Sequence, residues 1–274
     1  MIHKIVRSTL HSTLVLLTCL GGITISLPAI APVSLPVTTK NHHFQVKKIA
    51  QTITVKVLSE GFLGTGIIIQ KQANQTQNNP TQNQQINYIY TVITNNHVID
   101  FVDTPYQIQT PDGVIYNATR IENDKLENYD LGILQFTTNQ TYQIAKFGKS
   151  AQLNIEDEIF VGGFVGEKGE MIFSHGRLSL VLAKPLEGGY QIGYTNDIQK
   201  GMSGGAVLNV QGEVVGINGL HKNPLWEAPD FYFDGSKPEA PLQEKITRSS
   251  WGIPIETLIL ISNHRDTENT EEDD

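Results

Sequence analysis

Three short motifs, in a fixed order along the 274 residues of the chain, limit the folds that this sequence can adopt. They are Thr94-Asn95-Asn96-His97-Val98-Ile99, Asp130-Leu131-Gly132-Ile133-Leu134 and Gly201-Met202-Ser203-Gly204-Gly205-Ala206-Val207. A serine hydroxyl becomes a nucleophile when an imidazole takes its proton, and a buried carboxylate fixes the tautomer of that imidazole. We therefore predict His97 as the base, Asp130 as the orienting acid and Ser203 as the nucleophile.

The surroundings of each side chain support these assignments. His97 follows the apolar run 90–94, so it stands where a strand ends and the chain turns. Asp130 stands at the start of an apolar strand, whereas the competing acids Asp103 and Asp124 are not followed by a strand-like run.

The order His, Asp, Ser is that of chymotrypsin-type proteases and differs from that of subtilisins and α/β-hydrolases. On these motifs the sequence resembles the trypsin-like serine peptidases, more closely their bacterial, disulfide-free branch that includes the Htr-type proteases. The resemblance spans roughly residues 51–260. It implies an all-β fold of two six-stranded β-barrels, with the active-site cleft between them and a short C-terminal helix.

The resemblance also implies a function. The chain is expected to be a serine endopeptidase that cleaves protein or peptide substrates through an acyl-enzyme and needs no cofactor. The N–H groups of Gly201 and Ser203 would form the oxyanion hole. Gly204 and Gly205 would admit a substrate backbone without a side-chain clash.

Two features favour the bacterial branch. The only cysteine, Cys19, lies in the N-terminal apolar stretch, so the folded domain has no disulfide. Met202 stands where animal trypsins carry the aspartate that receives a new N-terminal amine. Activation through that salt bridge is therefore not expected.

The composition agrees with two barrels. The 24 Gly and 12 Pro separate short runs rich in Ile, Val, Thr and Tyr. We predict a peptidase domain over residues 50–260, with one barrel at about 50–145 and the other at about 155–260. The polar segment 71–85 is predicted to be a hairpin loop, and the aromatic-rich insertion 222–248 a structural flap or a lid.

The sequence leaves specificity open. Asp197 stands six residues before Ser203, at the position that in trypsin forms the base of the primary pocket and selects Lys or Arg. The segment 195–200 also resembles the Htr-type approach to the serine, where pocket residues are small or apolar. Gly219 and His221 fall on the pocket-wall segment, and His221 is either a pocket residue or a surface residue.

The N-terminal residues 1–31 are predicted to be a signal peptide or a retained anchor. A basic start precedes the apolar stretch 14–20, and 29–31 has the small residues of a cleavage site, although Pro32 disfavours a cut there. A linker is predicted at 32–49. The protein is expected to be exported, either to the periplasm or by secretion, and to contact a membrane only if the anchor is retained.

Charge excludes one class of partner. Residues 1–49 carry five basic and no acidic residues, which leaves 15 basic against 28 acidic residues, a net charge of −13, for the rest. Such an acidic body does not suit nucleic acid. The acidic segment 261–274 is predicted to be a disordered tail.

No metal-ligand cluster or phosphate-binding loop is visible, so neither a metal nor a cofactor is predicted. His175 is expected in a turn of the second barrel. The histidines of the terminal segments are interpreted as structural, namely His3, His11, His42, His43 and His264.

Two other functions remain open. One is a catalytically idle barrel that binds peptides as a scaffold, and the other is an esterase-type hydrolase that uses the same three residues. The natural substrate, the oligomeric state and the position of signal cleavage are not predicted.

Overall fold

Twelve strands form two closed antiparallel barrels in the computed structural model, which describes residues 39–59, 62–74, 87–100, 105–166, 169–222 and 229–263. The chain divides into two units, residues 1–37 and 38–274, and the described residues all lie in the second. Two six-stranded barrels confirm the predicted all-β class.

The first barrel has the strand order β1-β2-β3-β6-β5-β4. Its strands are β1 Thr54–Ser59, β2 Phe62–Asn74, β3 Asn87–Thr94, β4 Tyr106–Gln109, β5 Ile115–Ile121 and β6 Gly132–Thr138. Alternate residues of β1 and β6 are buried, as expected when one face of each strand fills the barrel. Val55, Val57, Ile68, Tyr90 and Leu134 are fully buried in its core.

The second barrel has the strand order β10-β11-β12-β9-β8-β7. Its strands are β7 Glu158–Val165, β8 Glu170–Val181, β9 Ile192–Tyr194, β10 Ala206–Leu208, β11 Val214–Leu220 and β12 Ser250–Pro254. Ile159, Val161, Tyr194, Val207 and Val215 are among the residues that fill its interior. β10, β11 and β12 are buried along nearly their whole length, because other elements cover their outer faces.

Four α-helices accompany the described strands. They are α1 Thr39–Ile53, α2 Asn96–Ile99, α3 Ala240–Thr247 and α4 Ile255–Asn263. α4 is the predicted closing helix. It runs to Asn263, so the predicted tail does not begin at residue 261. In the described part of the chain, no helix combines the length and apolar character needed to cross a membrane.

The helix α1 corrects residues 39–49 of the predicted linker 32–49 and the predicted start of a strand at Gln51. Val46, Ala50 and Ile53 are all buried, and they recur at the spacing of one helix face. This face packs against β7, β10 and β2, so α1 lies against both barrels. Burial of the face outweighs the strand preference of the Thr-rich end of the helix.

Four other predicted segments fall partly or wholly outside the described residues. β2 and β3 pair as a hairpin from Ile67↔Ile93 to Asn74↔Asn87, so residues 71–74 of the predicted loop 71–85 belong to a strand, and its remaining residues 75–85 are not described. Residues 1–38 and 264–274 are not described either. The insertion 222–248 contains α3, and its residues 223–228 are not described.

We expect Ile53→Ala to lower the free energy of unfolding by about 2–5 kcal/mol, because it leaves a cavity where α1 enters the core. Ile53 is only 2% exposed. Phe44→Ala on the same helix, at a side chain that is 64% exposed, should change the value by less than about 0.5 kcal/mol. Urea denaturation of the two variants measures the difference, and equal effects would contradict the packing of α1 described above.

Candidate active site

The structure brings His97 and Asp130 into direct contact. His97 lies in α2, immediately after β3, and Asp130 lies just before β6, which pairs with β3. The Nδ1 of His97 lies 2.6 Å from Oδ2 of Asp130, and the backbone N–H of His97 donates to Oδ1 at 2.9 Å. The carboxylate therefore fixes both the ring and the main chain of the histidine.

Asp130 is held in its ionised form. Burial raises the pKa of its carboxyl group, but the hydrogen bond and the charge of His97, together with the hydroxyl of Tyr190, outweigh burial and leave the pKa below its ordinary value. Because an ionised carboxylate can only accept, Nδ1 of His97 carries the hydrogen of the bond. Nε2 is then the basic nitrogen of the neutral ring.

Ser203 lies in the turn between β9 and β10 of the second barrel, and its side chain is half-buried. Among the contacts of the described residues, its hydroxyl donates to the carbonyl oxygen of Gly219 at 3.1 Å. No hydrogen bond joins Ser203 to His97 in this arrangement. The hydroxyl is therefore held against β11.

The buried side chain of Asn95 connects the three predicted catalytic segments. Its Nδ2 donates to the backbone carbonyl of Asp130 at 2.8 Å, and its Oδ1 accepts the N–H of Gly204 at 2.6 Å. It also lies two residues before His97 in the chain. One amide thus fixes the segments of the base, the acid and the serine relative to one another.

Thr65 of β2 makes a second set of bonds between the barrels. Its hydroxyl donates to the carbonyl of Gly201 at 2.7 Å and accepts the N–H of Phe164 at 2.9 Å. Its backbone N–H donates to the carbonyl of Ser203 at 2.9 Å. The turn that carries the serine therefore rests directly on a strand of the first barrel.

Gly204 has a different purpose from the one predicted for it. A Cβ at this position would lie 2.0 Å from the carbonyl oxygen of Thr65 and 2.3 Å from Oγ1 of Thr94, and the residue has a φ of +83°. The glycine admits a strand of the protein's own first barrel rather than a substrate backbone. A Cβ on Gly205 would lie 2.3 Å from the carbonyl oxygen of Gly162 in β7, so this glycine also makes room for the protein's own backbone.

The two predicted oxyanion donors are available. Gly201 has a φ of +99°, a conformation that glycine adopts readily. Within the described residues, neither the N–H of Gly201 nor that of Ser203 donates to a protein acceptor, while the N–H of Met202 between them donates to Gln199.

Tyr190 is a site residue that sequence reasoning missed. Its ring is 3% exposed, and its hydroxyl donates to Oδ2 of Asp130. A Cβ on Gly219 would lie 2.2 Å from that hydroxyl, so the glycine makes room for the tyrosine. The backbone N–H of Asp130 also donates to the carbonyl of Gly188 at 2.9 Å. The second barrel thus supports the acid of the first.

Within the insertion 222–248, residues 231–233 pack near Asp130. Phe233 donates its backbone N–H to the carbonyl of Pro185, and Tyr232 pairs with Leu186. The ring of Phe233 lies 5.4 Å from that of Tyr129, which precedes Asp130. These contacts place the described residues 231–233 against the segment that precedes Asp130.

The predicted pocket residues have unequal positions. Gly219 lies beside Ser203, as its bond to the serine requires. Asp197 is 73% exposed and lies 3.6 Å from the amine of Lys222, so it is not the buried carboxylate that a trypsin-type pocket needs. His221 is exposed at the end of β11. Met202 is fully buried, so an apolar side chain fills the place where animal trypsins form a salt bridge.

Comparison with known proteins agrees with this architecture. A family model described as the trypsin-like peptidase domain matches residues 64–217, which include all three motifs. The chain belongs to the trypsin-like peptidase family. The predicted resemblance to this family is thereby confirmed.

Several curated relatives are bacterial serine proteases. The serine protease Do-like HtrA of Bacillus subtilis is 27% identical over 171 residues, which cover 59% of this chain and 34% of the relative. A probable periplasmic serine protease do/HhoA-like of Haemophilus influenzae is 33% identical over 46% of this chain and 27% of its own length. The periplasmic serine endoprotease DegP of Escherichia coli is 31% identical, again over 46% and 27%. The chain spans about a third or less of these relatives.

We expect Asn95→Ala to destabilise the protein by about 1–3 kcal/mol, because the carbonyl of Asp130 loses its buried partner, whereas the N–H of Gly204 keeps its bond to the carbonyl of Asn218. Chemical denaturation measures this change. Asn139→Ala, at an exposed asparagine of the same barrel, is the matched control. Equal stability of the two variants would show that Asn95 does not hold the three segments together.

Proposed function

We propose that this protein is a serine endopeptidase in which Ser203 is the nucleophile, His97 the general base and then the general acid, and Asp130 the residue that orients His97. The observation that carries the proposal is the pair of bonds from one carboxylate to the ring and the backbone of His97. An imidazole fixed in this tautomer presents a basic Nε2.

Catalysis in this proposal begins with a rotation of the serine. The hydroxyl of Ser203 leaves the carbonyl of Gly219 and turns to Nε2 of His97, which exchanges one neutral hydrogen bond, worth about 0.5–1.5 kcal/mol, for another. Oγ then attacks the substrate carbonyl while His97 takes the hydroxyl proton. His97 returns the proton to the leaving amine, and water hydrolyses the acyl-enzyme by the same steps.

The oxyanion of the tetrahedral intermediate would accept hydrogen bonds from the N–H groups of Gly201 and Ser203. Neither group is engaged by the described residues, which supports this role. One such donor is worth about 10²–10³ in turnover in comparable enzymes. The bond from Thr65 to the carbonyl of Gly201 would fix the peptide between Gly201 and Met202, which lies between the two proposed donors.

The substrates proposed are peptides and proteins, and the location proposed is outside the cytoplasm. Two relatives carry the word periplasmic in their names, and the N-terminal residues 1–31 have the pattern of an export signal. Preference for a basic side chain is not proposed, because the carboxylate of Asp197 is exposed and paired with Lys222.

Incubation of the full chain with a diverse peptide library, beside Ser203→Ala, tests the proposal. We expect cleavage by the wild type alone and covalent labelling of Ser203 by a fluorophosphonate. Asp130→Asn keeps the shape of the acid but presents the wrong hydrogen-bond partner to His97, so turnover should fall about 10⁴-fold, the magnitude known for the trypsin template.

Three results would contradict the proposal, each in a different way. Equal cleavage by Ser203→Ala would remove Ser203 from the mechanism. Peptide binding without cleavage or labelling would favour the idle scaffold, and turnover of esters without any turnover of peptides would favour an esterase.

We further expect Tyr190→Phe to lower kcat about tenfold with little change in KM, because it removes one hydrogen bond to a charged group that orients the base. The tyrosine lowers the pKa of Asp130, so its loss raises that pKa. A carboxyl group of lowered pKa loses its contribution as the pH falls, and the variant should therefore lose activity and stability at a higher pH than the wild type.

The matched control is Tyr116→Phe, because the hydroxyl of Tyr116 bonds to Tyr142 within the first barrel and not to the site. Steady-state kinetics over a range of acid pH compares the two variants. An unchanged acid limb in Tyr190→Phe would exclude a positioning role for this hydroxyl.

A further inference from the structure

Three metal-ligating side chains from three different elements converge on the second barrel. His43 lies on α1, Glu158 at the start of β7 and His175 in β8. The Oε1 of Glu158 lies 3.3 Å from Nε2 of His175 and 3.7 Å from Nε2 of His43. The three ligand atoms all lie within 4.8 Å of one another. This His43–Glu158–His175 cluster is separate from the proposed catalytic residues.

One ligand atom of the cluster has no hydrogen bond within the described part of the chain. Nε2 of His43 is enclosed but has no hydrogen-bond partner among the described residues. Enclosed polar atoms nearly always have a partner, and one that lacks it indicates an ion or water. The carboxylate of Glu158 faces both imidazoles, so it supplies the negative charge that a bound cation needs.

Aromatic packing holds the two imidazoles. The ring of Phe160 stacks on His175 with centroids 5.0 Å apart and meets the edge of His43 at 4.9 Å. Phe173 stacks on the same phenylalanine at 5.5 Å. The two histidine rings are therefore fixed with their centroids 4.5 Å apart and both Nε2 atoms near the same carboxylate.

We propose that the His43–Glu158–His175 cluster binds a divalent transition-metal ion of the zinc type. Two imidazole nitrogens and one carboxylate oxygen are a ligand set that zinc accepts, with bonds of about 2.0–2.2 Å. Tetrahedral geometry places ligand atoms about 3.3 Å apart, so the two separations from Glu158, 3.3 and 3.7 Å, need little adjustment. All three ligand atoms lie within 4.8 Å of one another, so a bound ion would draw the two imidazoles closer together. The side chains are 34%, 27% and 39% exposed, which leaves a fourth position open to water.

The site would fasten α1 to the second barrel. His43 is its ligand from the helix, and Val46, Ala50 and Ile53 bury the following turns of the same helix. A metal bound by residues so far apart in sequence has no preformed site in the unfolded chain, so binding stabilises the folded state. His43 was predicted to be structural because it lies in a terminal segment. His175 was predicted to lie in a turn of the second barrel, but it lies within the strand β8.

Isothermal titration calorimetry of the metal-free full chain with Zn²⁺ tests the proposal. We expect one high-affinity ion per chain and a rise in Tm when zinc is added. His43→Ala and His175→Ala should each weaken binding by at least about tenfold, since even the loss of an outer partner of a ligand costs about 10–100-fold. Hydrogen exchange should show that zinc protects the amides of α1.

The matched control is His42→Ala, which removes an exposed neighbour of His43 on the same helix and should leave zinc affinity unchanged. Glu158→Gln is a second variant of nearly the same shape, which keeps the fold testable, and it should also weaken binding. The proposal is overturned if the wild type binds no zinc, or if His175→Ala binds it as tightly as the wild type. Because Ser203 labelling is measured separately, failure here would leave the proposed peptidase activity intact.

Discussion

The site depends on a small group of buried hydrogen bonds that cross from one barrel to the other. Asn95 binds the backbones of Asp130 and Gly204, and Thr65 binds those of Gly201 and Ser203. Buried polar groups of this kind are costly when unpaired and specific when paired, so they permit few relative positions of the barrels. The arrangement of the proposed catalytic residues is therefore a property of the interface and not of either barrel alone.

Asp130 is also held by contacts between the barrels, but here the second barrel supports a residue of the first. Asp130 belongs to the first barrel, yet the hydroxyl of Tyr190 and the carbonyl of Gly188 reach it from the second. Gly219 lies on β11 against both the tyrosine hydroxyl and the serine hydroxyl. A larger residue there would displace Tyr190 from Asp130. The glycine is therefore required by the packing of Tyr190 and not by the conformation of β11.

The sequence predicts what local spacing determines, and less of what depends on distant contacts. The three motifs were sufficient to predict His97 beside Asp130, because each residue stands at the end or the start of a recognisable strand. The helix α1 was missed, since its run of Thr and Ile also fits a strand and only the core that covers Val46, Ala50 and Ile53 decides between them. Tyr190 gave no signal, because its partner is sixty residues away in the chain. Asp197 was aligned with a pocket base by counting, but counting carries no information about exposure.

A domain of this kind without a disulfide must obtain its stability from packing, and α1 is one place where packing is extended beyond the barrels. The helix lies against β2, β7 and β10, so it spans strands from both halves of the molecule. The proposed metal site joins the same helix to β7 and β8, and it replaces a covalent cross-link with one that forms only in the folded state. A disulfide acts mainly by constraining the unfolded chain, whereas a bound cation acts by mass action on the folded one. Stability supplied in that way changes with the cation concentration around the protein, so that concentration would set how firmly α1 is held.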